Sequence, residues 1–337
     1  MLRSQITGVG SYVPSRVVTN FDLEKMVDTS DEWITKRTGI KERHWAALGE
    51  APSDMALQAA NRALESAKLS KSQLDMIVYA TLSPDHEFPG TGCFLQAKLD
   101  VPGIPALDIR QQCTGFLYAL SIADQYIRNG MYRNILVIGT EMHSRGLDKT
   151  NRGRDVAVLF GDGAGAVVVR ACEVVKPESD SYLFSTHLHA DGRFAKELWV
   201  PAPGSALPDE ERLSHAMLNE NLHYAQMNGK RVFVSAVEKL MQVMGECMSA
   251  NQVSTEKVDL FLLHQANLRI NEAVAEHVKI PPEKVFNTIH KFGNTTAATI
   301  PLGMDEAIKA GVLKKGMLVM LAAFGSGFTW GSALLRF

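Results

Sequence analysis

The chain carries the stretch Phe160-Gly161-Asp162-Gly163, followed by Ala166-Val167-Val168-Val169-Arg170, and a second copy in Phe324-Gly325-Ser326-Gly327, followed by Ser332-Ala333-Leu334-Leu335-Arg336. Each copy is typical of a glycine turn that leads into a buried strand. Two copies of such a unit indicate that the chain contains the same half twice.

Two further matches lie upstream of these turns, in the same order. A helical stretch leads to Leu74-Asp75-Met76-Ile77-Val78-Tyr79, and another leads to Val258-Asp259-Leu260-Phe261-Leu262-Leu263. Asp124 to Gly130 and Asp305 to Gly311 each end a helix with the same internal spacing. Three matches in order favour a true duplication.

Asn294 lies as many residues after Cys113 as Asp305 lies after Asp124, so the duplication makes Cys113 and Asn294 equivalent positions. We therefore expect an α/β fold of two duplicated halves, with helices on both faces of each sheet. The first half, 1–175, would carry Cys113 as the nucleophile, and the second half, 176–337, would carry His264 and Asn294. The paired residues would lie at equivalent helix starts and face a shared centre.

The composition excludes some classes of protein. The chain has 337 residues, of which 46% are hydrophobic, and a formal net charge of −2. That charge argues against nucleic-acid binding, which needs an excess of Lys and Arg. The first residues lack a signal-peptide pattern and no apolar run is long enough to span a membrane, so we expect a cytoplasmic protein.

Cys113 is the strongest candidate for a reactive group among the four cysteines, which show no Cys-x-x-Cys pair. It lies in Asp108-Ile109-Arg110-Gln111-Gln112-Cys113-Thr114-Gly115-Phe116, directly before the amphipathic stretch from Leu117 to Asn129. A helix start favours the thiolate form of a cysteine. The alternative is a buried, unreactive thiol.

His264 and Asn294 complete a chemically sufficient set. His264 follows an apolar strand, where ligand sites of open α/β sheets lie, although a structural histidine is the alternative. Asn294 follows Gly293, where a helix N-cap is the alternative. A thiolate can accept an acyl group from a thioester, and two neutral donors can stabilise the enolate that forms when a second thioester loses CO₂.

Two other patterns have less to support them. His187, His189 and Asp191 share one strand face and could bind a metal, but no further ligand is evident, so we expect no metal site. The glycine run from Gly161 to Gly165 lacks the Lys-Ser/Thr ending of a phosphate-binding loop. Its glycines are expected to allow tight turns beside the site.

Taken together, the motifs resemble the β-ketoacyl-acyl-carrier-protein synthase III family of thiolase-like condensing enzymes over essentially the whole chain. The matching motifs are Asp31-Glu32-Trp33-Ile34, Arg37-Thr38-Gly39-Ile40, Cys113-Thr114-Gly115-Phe116, Leu159-Phe160-Gly161-Asp162-Gly163-Ala164-Gly165-Ala166, His264-Gln265-Ala266-Asn267-Leu268-Arg269, Gly293-Asn294-Thr295 and Phe324-Gly325-Ser326-Gly327-Phe328-Thr329-Trp330-Gly331.

The resemblance implies a five-layered αβαβα fold and a decarboxylative condensation of acyl-CoA with malonyl-acyl carrier protein in fatty-acid biosynthesis. Cys113 would be the acylated nucleophile, and His264 and Asn294 would promote decarboxylation. The backbone N–H groups of Cys113 and Ser326 would form the oxyanion hole, and Phe324 would lie against the site. CoA thioesters are then substrates, and no cofactor is expected.

The resemblance also implies contacts to CoA and to the carrier protein. Trp33 and Arg154 would sandwich the CoA adenine, with Arg152 as a competing match for Arg154. Arg37 and Arg269 would lie near the CoA phosphates or the acidic face of the carrier protein, and Asn267 belongs to the same group. Stacking and guanidinium contacts suit these roles.

A homodimer is likewise implied by the resemblance. Phe88 would reach across the dimer and close the acyl pocket of the partner. Related long-chain condensing enzymes use a glutamate of this loop as a base, whereas here Glu87 lies one residue away from that position. Phenylalanine at 88 favours decarboxylative chemistry.

The chain departs from the family pattern at positions that affect the substrate. Gln111 and Gln112 precede the nucleophile where small apolar residues are usual, and the segment 195–226 is longer than usual. We therefore expect a primer other than acetyl, of medium length. A thioesterase or acyltransferase of secondary metabolism, which would share the acyl-enzyme, is the main alternative.

Overall fold

A computed structural model describes residues 1–207 and 210–337 of the chain. Within them the strands are β1 (Leu2–Tyr12), β2 (Arg16–Thr19), β3 (Glu42–Trp45), β4 (Met76–Ala80), β5 (Ala106–Ile109), β6 (Asn134–Glu141), β7 (Gly163–Glu173), β8 (Leu183–Ala190), β9 (Leu198–Trp199), β10 (Gln226–Met227), β11 (Leu260–Leu263), β12 (Leu318–Gly325) and β13 (Thr329–Arg336).

The helices lie between these strands. They are α1 (Asn20–Glu24), α2 (Asp31–Thr38), α3 (Pro52–Ser66), α4 (Thr91–Leu99), α5 (Gly115–Arg128), α6 (Arg154–Ala157), α7 (His215–Asn219), α8 (Gly229–Ala250), α9 (Leu268–Val278), α10 (Ile289–Phe292) and α11 (Thr299–Lys309). Short 3₁₀ turns at Gln112–Thr114 and Thr296–Ala298 immediately precede α5 and α11.

Two sheets share one topology. The first has the strand order β1-β7-β6-β4-β5 and the second has the order β8-β13-β12-β11. In the first sheet β4 and β6 are parallel, whereas β7 is antiparallel to both of its neighbours, β6 and β1. In the second sheet β11 and β12 are parallel, and β13 is antiparallel to both β12 and β8. The second sheet lacks a full counterpart of β5, but a parallel bridge joins Phe261 to Val285 at the matching place.

Helices and sheets stack in five layers. The helices α3 and α4 pack on the outer face of the first sheet, and α8 packs on the outer face of the second sheet with α9 beside it. The helices α5 and α11 lie between the two sheets. Every residue of β4 and β11 is buried, as expected for strands that are covered on both faces. These are the layers of the predicted αβαβα fold.

The middle layer positions the site. Both α5 and α11 are buried along most of their length in the largest hydrophobic core, because apolar side chains surround each of them and a sheet lies on either side. The first sheet ends at Glu173 and the second begins at Leu183, while the assignment of two domains as 1–175 and 176–337 stays a prediction. Among the described residues, no helix is long and apolar enough to cross a membrane.

Candidate active site

Cys113 lies in the 3₁₀ turn that starts α5, and its side chain is buried. The preceding residue, Gln112, has φ +43°, a left-handed conformation that side chains other than glycine rarely adopt. Gly325 at the end of β12 faces Cys113, and a Cβ atom there would lie 2.8 Å from the Cβ of Cys113. Only glycine therefore lets the second half approach the thiol this closely.

The surroundings of Cys113 oppose ionisation of the thiol. Burial raises the pKa of Cys113 to about 12, and the nearby carboxylate of Glu141 acts in the same direction. The backbone N–H groups of Ser326 and Cys113 itself lower this pKa. The start of α5 alone would favour the thiolate, but the enclosed position outweighs it. The thiol is therefore protonated at neutral pH.

His264 follows β11 and is held on both its backbone and its ring. Its N–H donates to the carbonyl of Ala322 at 2.8 Å, and its Nδ1 lies 2.7 Å from the hydroxyl of Thr299. Its Nε2 is buried and has no hydrogen-bond partner among the described residues. Burial lowers the pKa of His264 to about 3, so the ring is neutral at neutral pH.

Asn294 connects the two halves. Its N–H donates to the carbonyl of Leu159 at 2.8 Å, and its carbonyl accepts from the N–H of Gly161 at 3.1 Å. Its side-chain Oδ1 accepts from the N–H of Thr296 at 2.8 Å. That bond fixes the amide orientation and makes the NH₂ group the end available to a ligand. Within the described residues, this NH₂ group makes no hydrogen bond.

Thr296 links the two predicted donors. Besides its bond to Asn294, its carbonyl lies 3.0 Å from the hydroxyl of Thr299, the same hydroxyl that contacts Nδ1 of His264. Its own hydroxyl lies 2.5 Å from Nε2 of His143. Sequence reasoning missed Thr296, Thr299 and His143. The threonines directly after Asn294 were the only signal that could have indicated them.

Glu141 is a buried carboxylate at the end of β6 that sequence reasoning also missed. It accepts hydrogen bonds from the Ser83 hydroxyl at 2.7 Å and from the N–H of Leu82 at 3.2 Å. Burial raises the pKa of Glu141 to about 8, although these donors and the backbone N–H of Ala297 lower it. Glu141 thus joins the loop after β4 to the turn that follows Asn294.

Two cavities meet at Cys113. The smaller one, here called the tunnel, has a volume of about 110 Å³. Its walls are largely apolar and it contains all three predicted catalytic residues. The tunnel is lined by Cys113, Leu159, Phe160, Leu198, Met227, Gly229, Val232, Phe233, Ala236, Leu240, His264, Ala266, Asn267, Ile270, Asn294, Phe324 and Gly325.

The larger cavity, here called the chamber, has a volume of about 480 Å³. Its walls contain both apolar and polar side chains, which come from both halves of the chain. The chamber is lined by Leu82, Ser83, Glu87, Arg110, Gln112, Cys113, Met142, His143, Gly146, Leu147, Phe160, Leu198, Trp199, Val200, Pro203, His223, Ala225, Thr296 and Ser326. Sequence reasoning could not give its size, because volume depends on packing.

The residues predicted to contact CoA lie together on the surface. The guanidinium groups of Arg37 and Arg154 lie 4.9 Å and 5.2 Å from the ring centroid of Trp33. The side-chain amide of Asn267 donates to the carbonyl of Arg37 at 3.0 Å, and its Oδ1 accepts from the N–H of Arg269. Arg37 lies four residues after Trp33 on α2, which places both side chains on one face of the helix.

The remaining predicted site residues have distinct surroundings. Phe324 is buried and packs against Phe328, with ring centroids 4.8 Å apart. The Ser326 side chain donates to the carbonyl of Leu198, so it points away from the thiol and leaves only its N–H there. Phe88 is 81% exposed and lines neither cavity of its own chain.

The histidines on β8 form a cluster of their own. His187 Nδ1 and His189 Nε2 lie 3.2 Å and 2.6 Å from the carboxylate of Glu246 on α8. Asp191 instead caps the turn that follows β8. In the part of the chain that the structure describes, no group of three or more His, Cys, Asp or Glu side chains is placed to hold a metal ion.

A five-layered duplicated fold with a cysteine, a histidine and an asparagine in one cavity defines a thiolase-like condensing enzyme. The family model described as 3-oxoacyl-[acyl-carrier-protein] synthase III matches residues 107–192, and the model of its C-terminal part matches residues 248–337. The chain therefore belongs to the 3-oxoacyl-[acyl-carrier-protein] synthase III family, and it is a condensing acyltransferase of fatty-acid synthesis.

Individual relatives agree with this assignment. The β-ketoacyl-[acyl-carrier-protein] synthase III of Thioalkalivibrio sulfidiphilus is 46% identical over 100% of both chains, and that of Salmonella arizonae is 46% identical over 99% of both. The crystal structure of 3-oxoacyl-[acyl-carrier-protein] synthase III from Aquifex aeolicus is 45% identical, covers 99% of this chain and 100% of its own, and has a TM-score of 0.89. The predicted family and fold are confirmed.

Proposed function

We propose that Cys113 takes an acyl group from acyl-CoA and passes it to a malonyl unit carried by acyl carrier protein. One observation carries the assignment of residues: Cys113, His264 and Asn294 line one cavity, although they lie far apart in sequence. In the first step the sulfur of Cys113 forms the new thioester bond and the bond to the CoA sulfur breaks. The thiol proton leaves with CoA.

In the second step the malonyl carboxylate leaves as CO₂, and its electron pair forms an enolate on the thioester. Nε2 of His264 and the NH₂ group of Asn294 stabilise the enolate oxygen. The enolate carbon then bonds to the acyl carbonyl carbon, the bond to the Cys113 sulfur breaks, and the resulting thiolate takes a proton from solvent. The N–H groups of Cys113 and Ser326 stabilise the oxygen of the intermediate, a role supported by their position beside the thiol.

The donor role of His264 sets the orientation of one hydroxyl. A neutral imidazole carries one proton, so a donating Nε2 requires a bare Nδ1. The Thr299 hydroxyl must then donate to Nδ1, at 2.7 Å, and not to the carbonyl of Thr296, at 3.0 Å. The shorter of the two contacts is the one the mechanism needs.

The tunnel provides the route for the pantetheine arm. Asn267 lines it and also contacts Arg37, so the tunnel runs from Cys113 toward the group formed by Trp33, Arg37 and Arg154. In this proposal Trp33 and Arg154 hold the adenine of CoA, while Arg37 and Arg269 attract phosphates or the acidic carrier protein. The reaction as written requires no cofactor.

The chamber holds the acyl chain of the primer. Its volume of about 480 Å³ in a single chain far exceeds the needs of an acetyl group, and we expect the space that remains beside Phe88 of the partner subunit to accept a primer of medium length. The narrow tunnel offers no comparable space beside Cys113.

The active form in this proposal is a homodimer in the cytoplasm, where CoA thioesters and acyl carrier protein occur. The strand β5 lies at the edge of the first sheet, with Leu107 exposed, and such an edge can pair with a second copy of itself. An exposed Phe88 on the neighbouring loop would then enter the chamber of the partner. Analytical ultracentrifugation tests this, since a monomer at micromolar concentration contradicts it.

The experiment that tests the function is intact-protein mass spectrometry with acyl-CoA donors from C2 to C12. An adduct on Cys113 that malonyl-acyl carrier protein discharges with release of CO₂ supports the proposal. Malonyl-CoA in a parallel sample identifies the carrier that is used. An adduct that water discharges without CO₂ identifies a thioesterase, and the absence of any adduct contradicts the role of Cys113.

A further inference from the structure

The chamber is lined by both apolar and polar side chains. Leu82, Met142, Leu147 and Val200 supply apolar surface, and Gln112 adjoins Cys113 in the sequence. His143 is tied to the turn of Asn294 by its bond to Thr296. Gln112 and His143 are therefore the polar lining residues tied to Cys113 and to the turn that follows Asn294.

Two of these side chains have hydrogen-bonding capacity that the protein leaves unused. Among the described residues, the amide of Gln112 makes no side-chain hydrogen bond, and His143 bonds only through Nε2, so its Nδ1 has no partner. Within the described residues, Ser83 bonds to Glu141 and Glu87 pairs with Arg212 at 3.1 Å, whereas Nδ1 of His223 is buried without a partner. His223 and Arg110 also line the chamber, but Gln112 adjoins Cys113 in the sequence and His143 bonds to Thr296, so these two are the ones tied to the proposed reaction site.

The backbone of Gln112 has a conformation that is unfavourable for a residue with a side chain. Gln112 has φ +43° and is the first residue of the turn before α5, just as Thr296, with φ +49°, is the first residue of the turn before α11. Glycine adopts this conformation without steric cost, whereas glutamine does not. A strained position thus holds a long polar side chain beside the nucleophile.

An acyl chain that fills the chamber would remove water from both groups. A plain hydrocarbon chain would leave the Gln112 amide and Nδ1 of His143 dry and unpaired, which disfavours binding. A chain with an oxygen close to the thioester would replace the lost water. Sites built to bond such an oxygen discriminate strongly against the analogue that lacks it.

We infer that the preferred primer is an acyl thioester with a hydroxyl or keto oxygen on its third carbon and an apolar tail. Gln112 and His143 bind that oxygen, and the apolar wall receives the tail. This inference rests on the proposed function, because the acyl group must first reach Cys113. The acyl transfer itself is unchanged: the thioester moves to Cys113 and CoA leaves as the thiol.

Matched donor pairs test the inference. The rate of Cys113 acylation, as kcat/KM, is measured with hexanoyl-CoA, with each enantiomer of 3-hydroxyhexanoyl-CoA and with 3-oxohexanoyl-CoA. We expect at least a tenfold preference for one oxygenated donor, and the best of the three identifies which oxygen is bound. Equal or faster acylation by hexanoyl-CoA overturns the inference.

Variants assign the preference to the two side chains. Gln112→Ala and His143→Leu should each reduce the ratio of oxygenated to plain donor at least threefold, and His143→Leu should accelerate hexanoyl transfer. Gln111→Ala is the matched control: Gln111 departs from the family pattern like Gln112, but it lines neither cavity, so its ratio should equal that of the wild type. A ratio unchanged in both test variants overturns the assignment.

The outcome separates this inference from the proposed function. Plain donors that load Cys113 best and are then condensed with malonyl units leave the function intact and overturn only the primer class. Failure of every donor to load Cys113 overturns both. Melting temperatures of the variants within a few degrees of the wild type exclude a loss of fold as the cause.

Discussion

The turn before α5 and the turn before α11 occupy equivalent places in the two halves. Each begins with a residue of positive φ, Gln112 in one half and Thr296 in the other, and each leads into a buried helix of the middle layer. The first turn carries the thiol of Cys113. The turn in the second half follows Asn294, whose amide is fixed by Thr296.

The two places differ in how their functional groups are supported. Cys113 relies on enclosure and on two backbone N–H groups, and in the described structure its thiol has no side-chain base as a partner. Asn294 and His264 instead belong to a network of side chains through Thr296 and Thr299. In the proposed mechanism one half thus offers the nucleophile and the other offers the oriented donors, so that decarboxylation can be disabled without loss of acylation.

The largest effect should come from the nucleophile. Cys113→Ala removes the sulfur that holds the acyl group in the proposed mechanism, so acylation should fail and the rate of condensation should drop about 10⁴-fold or more. Intact-protein mass spectrometry should show no acyl adduct. Cys93→Ala is the matched control, because Cys93 is an exposed thiol and its loss should leave the adduct unchanged. An adduct retained in Cys113→Ala would refute the assignment.

Substitutions in the second half should disable only the second step. Asn294→Ala and His264→Ala each remove one donor to the enolate, so decarboxylation should fall roughly 10²- to 10³-fold. Acylation of Cys113 should stay within about threefold of the wild type, because neither donor takes part in it. Release of CO₂ and adduct formation, measured on the same samples, separate the two steps. An equal loss of both steps would contradict the division between the halves.

The sequence indicated Cys113, His264 and Asn294 because each lies at the end of a strand or the start of a helix, positions that local patterns mark. The duplication then predicted that Cys113 and Asn294 would meet. Glu141, Thr296 and His143 were not predictable, since their roles depend on bonds between segments distant in the chain. The expectation that the helix start favours the thiolate was incomplete, because the burial of Cys113 is set by residues of both halves.

A smaller effect should follow from the support of His264. Thr299→Val keeps the shape of the side chain but removes the hydroxyl 2.7 Å from Nδ1, so the tautomer that places a proton on Nε2 is no longer favoured. Decarboxylation should fall about tenfold, while acylation should not change. Thr299→Ser restores the hydroxyl and should restore the rate of CO₂ release. If the valine variant decarboxylates like the wild type, the hydroxyl does not set the tautomer.

The smallest effect concerns Glu141, whose negative charge raises the pKa of Cys113. Glu141 has a pKa raised to about 8 by burial, so it gains negative charge as the pH rises above that value. The added charge opposes formation of the Cys113 thiolate, whose own pKa is about 12. In the wild type, alkylation of Cys113 by iodoacetamide should therefore increase with pH less steeply above pH 8 than below it.

Glu141→Gln removes this charge and should keep the slope constant. The ratio of variant to wild-type alkylation rates should be near one at pH 6.5 and rise to about three- to tenfold at pH 9.5, as expected for one charge at a moderate effective dielectric. Mass spectrometry of the Cys113 peptide measures the rates. A ratio that does not change with pH would mean that Glu141 acts only as a brace between the Ser83 loop and the Asn294 turn, and that the two halves are coupled mechanically and not by charge.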